Sequence, residues 1–134
     1  MNLNYYNTFI LVAEDSSANY GEIPNIKRAK KTIGEIQFEL LYRNDYKYTQ
    51  EEVLFETHMR HKEIPESGRA AEKEAFFAKS QACMRTSPLG KKYGWGLHFN
   101  EDGYVKLVAV ESDEYQELAN QKDLTITRAM KSKR

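Results

Sequence analysis

His58, His61 and His98 are the three imidazoles of this chain and Cys83 is its one thiol, so metal and nucleophilic chemistry would start from these residues. A spacing of three puts His58 and His61 on one face of a helix, where both can reach a single metal ion. A third ligand would have to come from His98, Cys83 or a carboxylate. The pair does not form H-E-x-x-H, and buried histidines are commonly satisfied by a backbone carbonyl or a carboxylate. No metal and no other cofactor is therefore assigned. Cys83 with His98 as its base would make an activated nucleophile. The thiol, however, follows a predicted helix whose C-terminal end carries partial negative charge, which disfavours a thiolate unless Arg85 folds back over it. Cys83 is read as a small buried side chain.

In a strand over residues 94–100, period-two alternation sets Trp95, Leu97 and Phe99 on one side and Gly94, Gly96 and His98 on the other. Two missing side chains beside an imidazole leave a strip where something approaches the backbone closely. The occupant is a ligand or an aromatic ring from the first or second helix, and packing is the preferred account. The strip is also the best floor for a pocket, with Lys91, Lys92 and Tyr93 at its entrance and His58 and His61 across from it. Basic residues supply the last candidate. Lys27, Arg28, Lys30 and Lys31, then Arg85, Lys91 and Lys92, then Arg128, Lys131, Lys133 and Arg134 hold eleven of the twenty bases. Gathered on one face, they would bind phosphates with steep salt dependence. Terminal and loop lysines more often serve solubility, and no base-stacking motif accompanies them, so nucleic acid ranks last among partners.

The elements that must position these residues follow from patterning. Phe9-Ile10-Leu11-Val12-Ala13 is apolar without alternation, so a strand over residues 8–13 needs cover on both faces. The polar connection over residues 14–31 is long for a compact domain and is read as a functional loop, a mobile one or a hidden element. A helix over residues 32–43 aligns Ile33, Ile36 and Leu40. Thr49 and Glu52 form a capping box for a second helix ending near Lys62, whose wheel puts His58 and His61 in the middle of the apolar arc. An alanine-rich third helix spans residues 67–79. Residues 80–93 lose their period and carry the turn signal Ser87-Pro88-Leu89-Gly90. A hairpin follows, over residues 94–100 and 104–110, joined by Asn100-Glu101-Asp102-Gly103. Ser112 caps a short helix over residues 114–120, and Leu124-Thr125-Ile126-Thr127 predicts a last strand beside the first.

Size and charge bound the rest. At 134 residues the chain is expected to form one domain, with a core large enough to need no covalent staple. Twenty acids balance twenty bases, so there is no net field to attract a polyanion. The lone cysteine excludes an internal disulfide and fits a reducing compartment. The apolar run is too short for a signal core or a membrane span, which gives a cytoplasmic expectation without membrane contact.

Ser87-Pro88-Leu89-Gly90-Lys91-Lys92-Tyr93-Gly94-Trp95-Gly96-Leu97-His98-Phe99, with Tyr6-Asn7-Thr8-Phe9-Ile10, Tyr46-Lys47-Tyr48-Thr49, Val110-Glu111-Ser112 and Tyr115, resembles a family of small bacterial proteins of unknown function. The resemblance extends over the whole chain. It implies no activity, substrate or catalytic residue.

The expected architecture is α+β: a small, mostly antiparallel sheet of three or four strands, with the first strand and the hairpin together, packed on one face by helices from the middle of the chain. The expected function is a non-catalytic ligand-binding or interaction module whose partner is an unidentified small molecule or protein. The cleft would be formed by Gly94, Gly96, His98, His58, His61, Tyr93, Lys91 and Lys92. The alternatives are a small metal-assisted or hydrolytic enzyme using His58, His61 and His98, and then a nucleic-acid or anion binder. Catalytic residues are not assigned, and the leaning is against an enzyme.

Overall fold

The computed structural model describes residues 3–24 and 30–132. Lys27, Arg28, Lys133 and Arg134, four of the basic residues above, lie outside that range. Strand β1 (Thr8–Leu11) takes the first part of the apolar run. It is interior, pairing antiparallel with β3 (Trp95–Phe99) on one side and parallel with β5 (Thr125–Arg128) on the other. Strand β4 (Tyr104–Ala109) pairs with β3, and a two-residue β2 (Tyr48–Thr49) pairs with β4. Among the described residues the order is β2-β4-β3-β1-β5, five strands rather than three or four, with one parallel pair.

The absence of alternation in the first strand has its physical cause here. Phe9 and Ile10 are 0% and 1% exposed and point to opposite faces, each into its own cluster. On the Ile10 face, α1 (Ile33–Leu41) and α2 (Gln50–His61) cover Leu97, Phe99, Val105 and Leu107. On the Phe9 face, α5 (Asp113–Ala119) brings Tyr115 and Leu118 against Phe9 and Val108. Helical cover is therefore two-sided, and the second layer comes from the C-terminal part of the chain rather than its middle.

Both long helices begin with reciprocal caps. Thr32 and Glu35 close one for α1, and Thr49 and Glu52 close one for α2, each satisfying two backbone donors. Ile33, expected on the apolar stripe of α1, is 41% exposed and lines an open hollow instead. Helix α3 (Arg69–Phe77) follows a 3-10 turn over Glu66–Gly68 and packs Phe76 on Phe55 and Met59 of α2. The aperiodic stretch after it holds a 3-10 turn (Met84–Thr86) and a one-turn helix α4 (Pro88–Lys91), with Ser87 as N-cap and Pro88 at its first position. The hairpin turn closes on Gly103 at φ 87°, a conformation natural to glycine. The described part of the long connection is a strap over the start of β3. Glu22 N–H donates to Tyr93 O at 2.7 Å, and the Trp95 indole donates to Glu22 O at 2.8 Å.

Candidate functional site

The glycine strip is filled. A methyl group on Gly96 would lie 2.8 Å from Phe9 Cζ and 2.9 Å from Tyr115 Cε2. Gly94, at φ 78°, would drive a side chain into the Tyr20 carbonyl and to within 3.1 Å of Ala18 Cβ. Aromatic packing is thus the occupant of Gly96, with its rings supplied by β1 and α5 rather than by the first two helices. His98 shares that face. Its Nδ1 is 2.8 Å from the Tyr46 hydroxyl, and its ring meets Phe9 edge-on at 6.4 Å. Burial pushes the His98 pKa down, against the pull of Glu114, while burial raises that of Tyr46. Both shifts favour the neutral form of each group, so the bond joins a neutral phenol and a neutral imidazole. Lys106 beside them is held by Glu114 at 2.9 Å and by Asp45 at 3.8 Å.

Helix α2 lies on the other side of the sheet, so His58 and His61 do not converge with His98, and the expected cleft spanning all three does not form. His58 Nε2 meets Glu72 of α3 at 2.7 Å, with its ring 4.7 Å from that of Phe76. That is the carboxylate-satisfied histidine of ordinary packing. Among the described residues no group of three or more His, Cys, Asp or Glu side chains could hold a metal ion. Cys83 is half-buried rather than buried, and its side-chain partner is the Tyr5 hydroxyl, not His98. Burial and the neighbouring Cys83 push the Tyr5 pKa up to about 12. Arg85, instead of folding onto the thiol, donates from Nε to the Arg128 carbonyl at 2.7 Å.

A different juxtaposition does form. His61, at the last position of α2, meets Lys92 and Tyr93, just after α4, at the start of α1, around an open hollow of about 630 Å³. Lys30, Lys31, Ile33, Gly34 and Pro88 complete most of its wall, and among the described residues no carboxylate lines it. Lys31 is engaged by Glu39 at 2.7 Å, but Lys30 and Lys92 have no ion-pair partner among the described residues. The capping box satisfies the backbone donors of Thr32 and Glu35 only. Those of Ile33 and Gly34, in the wall, have no acceptor among the described residues, as the first turn of a helix leaves them. Desolvation lowers the His61 pKa, and repulsion from Lys30, Lys62 and His58 lowers it further. Of the residues expected in a cleft, His61, Lys92 and Tyr93 come together here, and His58 lines an adjoining hollow. Lys91, Gly94, Gly96 and His98 do not line either. Sequence reasoning missed Ile33, Gly34 and Pro88; the available signal was two lysines directly before the capping pair Thr32 and Glu35.

Among the described residues the bases of the three segments do not all line this hollow. Arg85, Arg128 and Lys131 line a separate hollow with Glu14, which pairs with Lys131 at 3.3 Å.

The fold is thus an α+β sandwich of helices on both faces of a five-stranded mixed sheet, with a cationic hollow where the helical layer meets the start of the hairpin. The chain belongs to DUF6157, a family of unknown function whose model matches residues 1–134. No curated protein matches it. No solved structure matches it. Among the described residues no helix is long and apolar enough to cross a membrane.

Proposed function

We propose that the chain is a single non-catalytic binding domain for a small organic anion, seated in the hollow between the start of α1, the end of α2 and the Lys92–Tyr93 step. One observation carries this: Lys30, His61 and Lys92, far apart in sequence, share one wall with the free first-turn amides of Ile33 and Gly34. Cations and aligned N–H groups favour negative charge at that point. Ile33, Gly34, Pro88 and the Tyr93 ring favour an apolar body attached to it. A single charge at about 4 Å from a partly screened lysine gains on the order of 4 kcal/mol before desolvation, enough to orient a ligand but not to bind it alone. The enzyme alternative lacks support because the imidazoles that would carry it are divided by the sheet.

The test is amide NMR titration with benzoate and phenyl phosphate. Resonances of Gly34, Lys92 and Tyr93 should shift together, with affinity falling as salt rises. Lys92→Glu, at an exposed position, should weaken binding by roughly tenfold without changing the fold. Absence of shifts at these amides with either anion would remove the proposal.

A further inference from the structure

The hollow has a neighbour on the far side of His61. Ile33 and His61 also line a second hollow of about 310 Å³, walled by Gln37 of α1, Leu54 and Thr57 of α2, Phe76 of α3 and Ala82. One group in that wall is under-satisfied. Gln37 is only 4% exposed, and its Oε1 accepts from Ser87 Oγ at 2.6 Å. Its Nε2 carries two donor hydrogens, yet among the described residues it meets only the sulfur of Met84 at 3.9 Å, a weak acceptor. The amide cannot be turned to cure this. Its 2.6 Å separation from Ser87 Oγ is the length of an O–H···O bond, and the Ser87 hydroxyl has no other acceptor among the described residues, so Oε1 faces it. Thr57 offers no competing hydrogen, since its hydroxyl donates to Val53 O. Buried amide donors are almost always paired, so a fixed donor without a strong acceptor in the wall of a hollow asks for one.

We infer that the anion held at the mouth continues past Ile33 and His61 and delivers a carbonyl oxygen to Gln37 Nε2. This rests on the anion-binding reading above and narrows its ligand to an organic acid with an amide-linked apolar tail, an N-acylated amino acid being the simplest member. The spacing agrees. Ile33 and Gln37 stand four residues apart on α1, an axial rise of roughly 6 Å, about the reach from a carboxylate to the acyl oxygen one amino acid away. Leu54, Phe76 and Ala82 then receive the hydrocarbon.

The probes are N-butanoylglycine and heptanoate, which match in chain length and charge and differ in the amide. With the full chain, calorimetry should give N-butanoylglycine roughly tenfold tighter binding than heptanoate, and NMR should show the Gln37 side-chain amide shifting with the former only. Gln37→Met should reduce that ratio to about one. Because this substitution also removes the acceptor of Ser87, Ala82→Trp serves as an independent variant at an exposed wall position. It should block N-butanoylglycine yet leave benzoate at the mouth. Equal affinities of the two probes, or a Gln37 amide that does not move, overturn the inference while the anion site stands. Failure of benzoate, heptanoate and N-butanoylglycine alike overturns both.

Discussion

Gly96→Ala is the most direct test of what fills the glycine strip. The added methyl would lie 2.8 and 2.9 Å from Phe9 Cζ and Cε1 and 2.9 Å from Tyr115 Cε2, separations that real Cβ atoms do not show. Neither ring has room to yield: Phe9 is 0% exposed and Tyr115 6%. Tyr115 is also tied down, because its hydroxyl accepts the Val12 N–H at 3.0 Å. Overpacking of this kind costs about 1–3 kcal/mol, and a pinned ring argues for the upper part of that range. Replacing glycine within a strand returns roughly 0.5–1 kcal/mol of backbone entropy. The net is a loss of about 2 kcal/mol. For 134 residues the unfolding entropy near the midpoint is roughly 0.28 kcal/mol/K, so Tm should fall by about 7 °C. Urea denaturation followed by circular dichroism should show a lower midpoint with an unchanged slope. Phe9→Leu in the same background should recover about 1 kcal/mol relative to additivity, since it withdraws the atoms that clash. A Gly96→Ala protein as stable as the parent would mean that the space above Gly96 is open, and the strip would again be a pocket floor.

Other outcomes follow from the same contacts. Tyr115→Phe should cost about 1–2 kcal/mol in the same denaturation assay by orphaning the Val12 donor; a neutral result would show that the hydroxyl is not what holds β1 to α5. The lowered pKa of His98 means that the unfolded chain takes up its proton more readily, so stability is lost as pH falls from the ordinary value of 6.5 through the folded one. His98→Gln should flatten that part of the stability–pH profile, leaving the slope due to His61, and an unchanged profile would refute the assignment. Phe76→Ala should cost about 3 kcal/mol but act locally. Hydrogen exchange over residues 69–77 should then accelerate well before that of β3, because Phe76 anchors α3 to Phe55 and His58; a uniform rise would show α3 to be integral to the main core.

Much of the fold was legible because local and tertiary demands agree. Phe9 and Ile10 need opposite faces covered, and a strand between β3 and β5 supplies both. Thr49 with Glu52, and Gly103 at the hairpin, do locally what their types suggest. The misses have definite causes. Helix α4 is one turn long, too short to show a period, and β2 is two residues, too short to show alternation. The wheel for α2 assumed a single buried face, whereas α2 is packed by α1 on one side and α3 on another. His58 and His61 therefore fall at seams rather than in a core. The site was least legible. Both faces of the sheet around β1 and β3 are spent on packing, which leaves element ends as places for recognition. Which ends meet is a tertiary fact: Lys30, His61 and Lys92 are each about thirty positions apart.

That placement at element ends carries a consequence for His61. As the last residue of α2 it sits where the helix dipole favours a cation, yet its pKa lies below 6.5 because burial and the charges of Lys30 and Lys62 oppose protonation. An anion entering the hollow offsets the repulsion from Lys30 and raises the His61 pKa toward its ordinary value. The sign is then fixed by linkage: a complex that binds the proton more tightly than the free protein must bind the anion more tightly as pH falls through the His61 range. Benzoate affinity should thus increase from neutral pH toward pH about 5.5, where the ligand itself remains ionised. Calorimetry in buffers of different ionisation enthalpy should show proton uptake on binding near pH about 6.5. His61→Gln should abolish both the uptake and the pH dependence while the contribution of Lys92 persists. Binding that weakens on acidification, or proton release on binding, would mean that the anion does not face this imidazole.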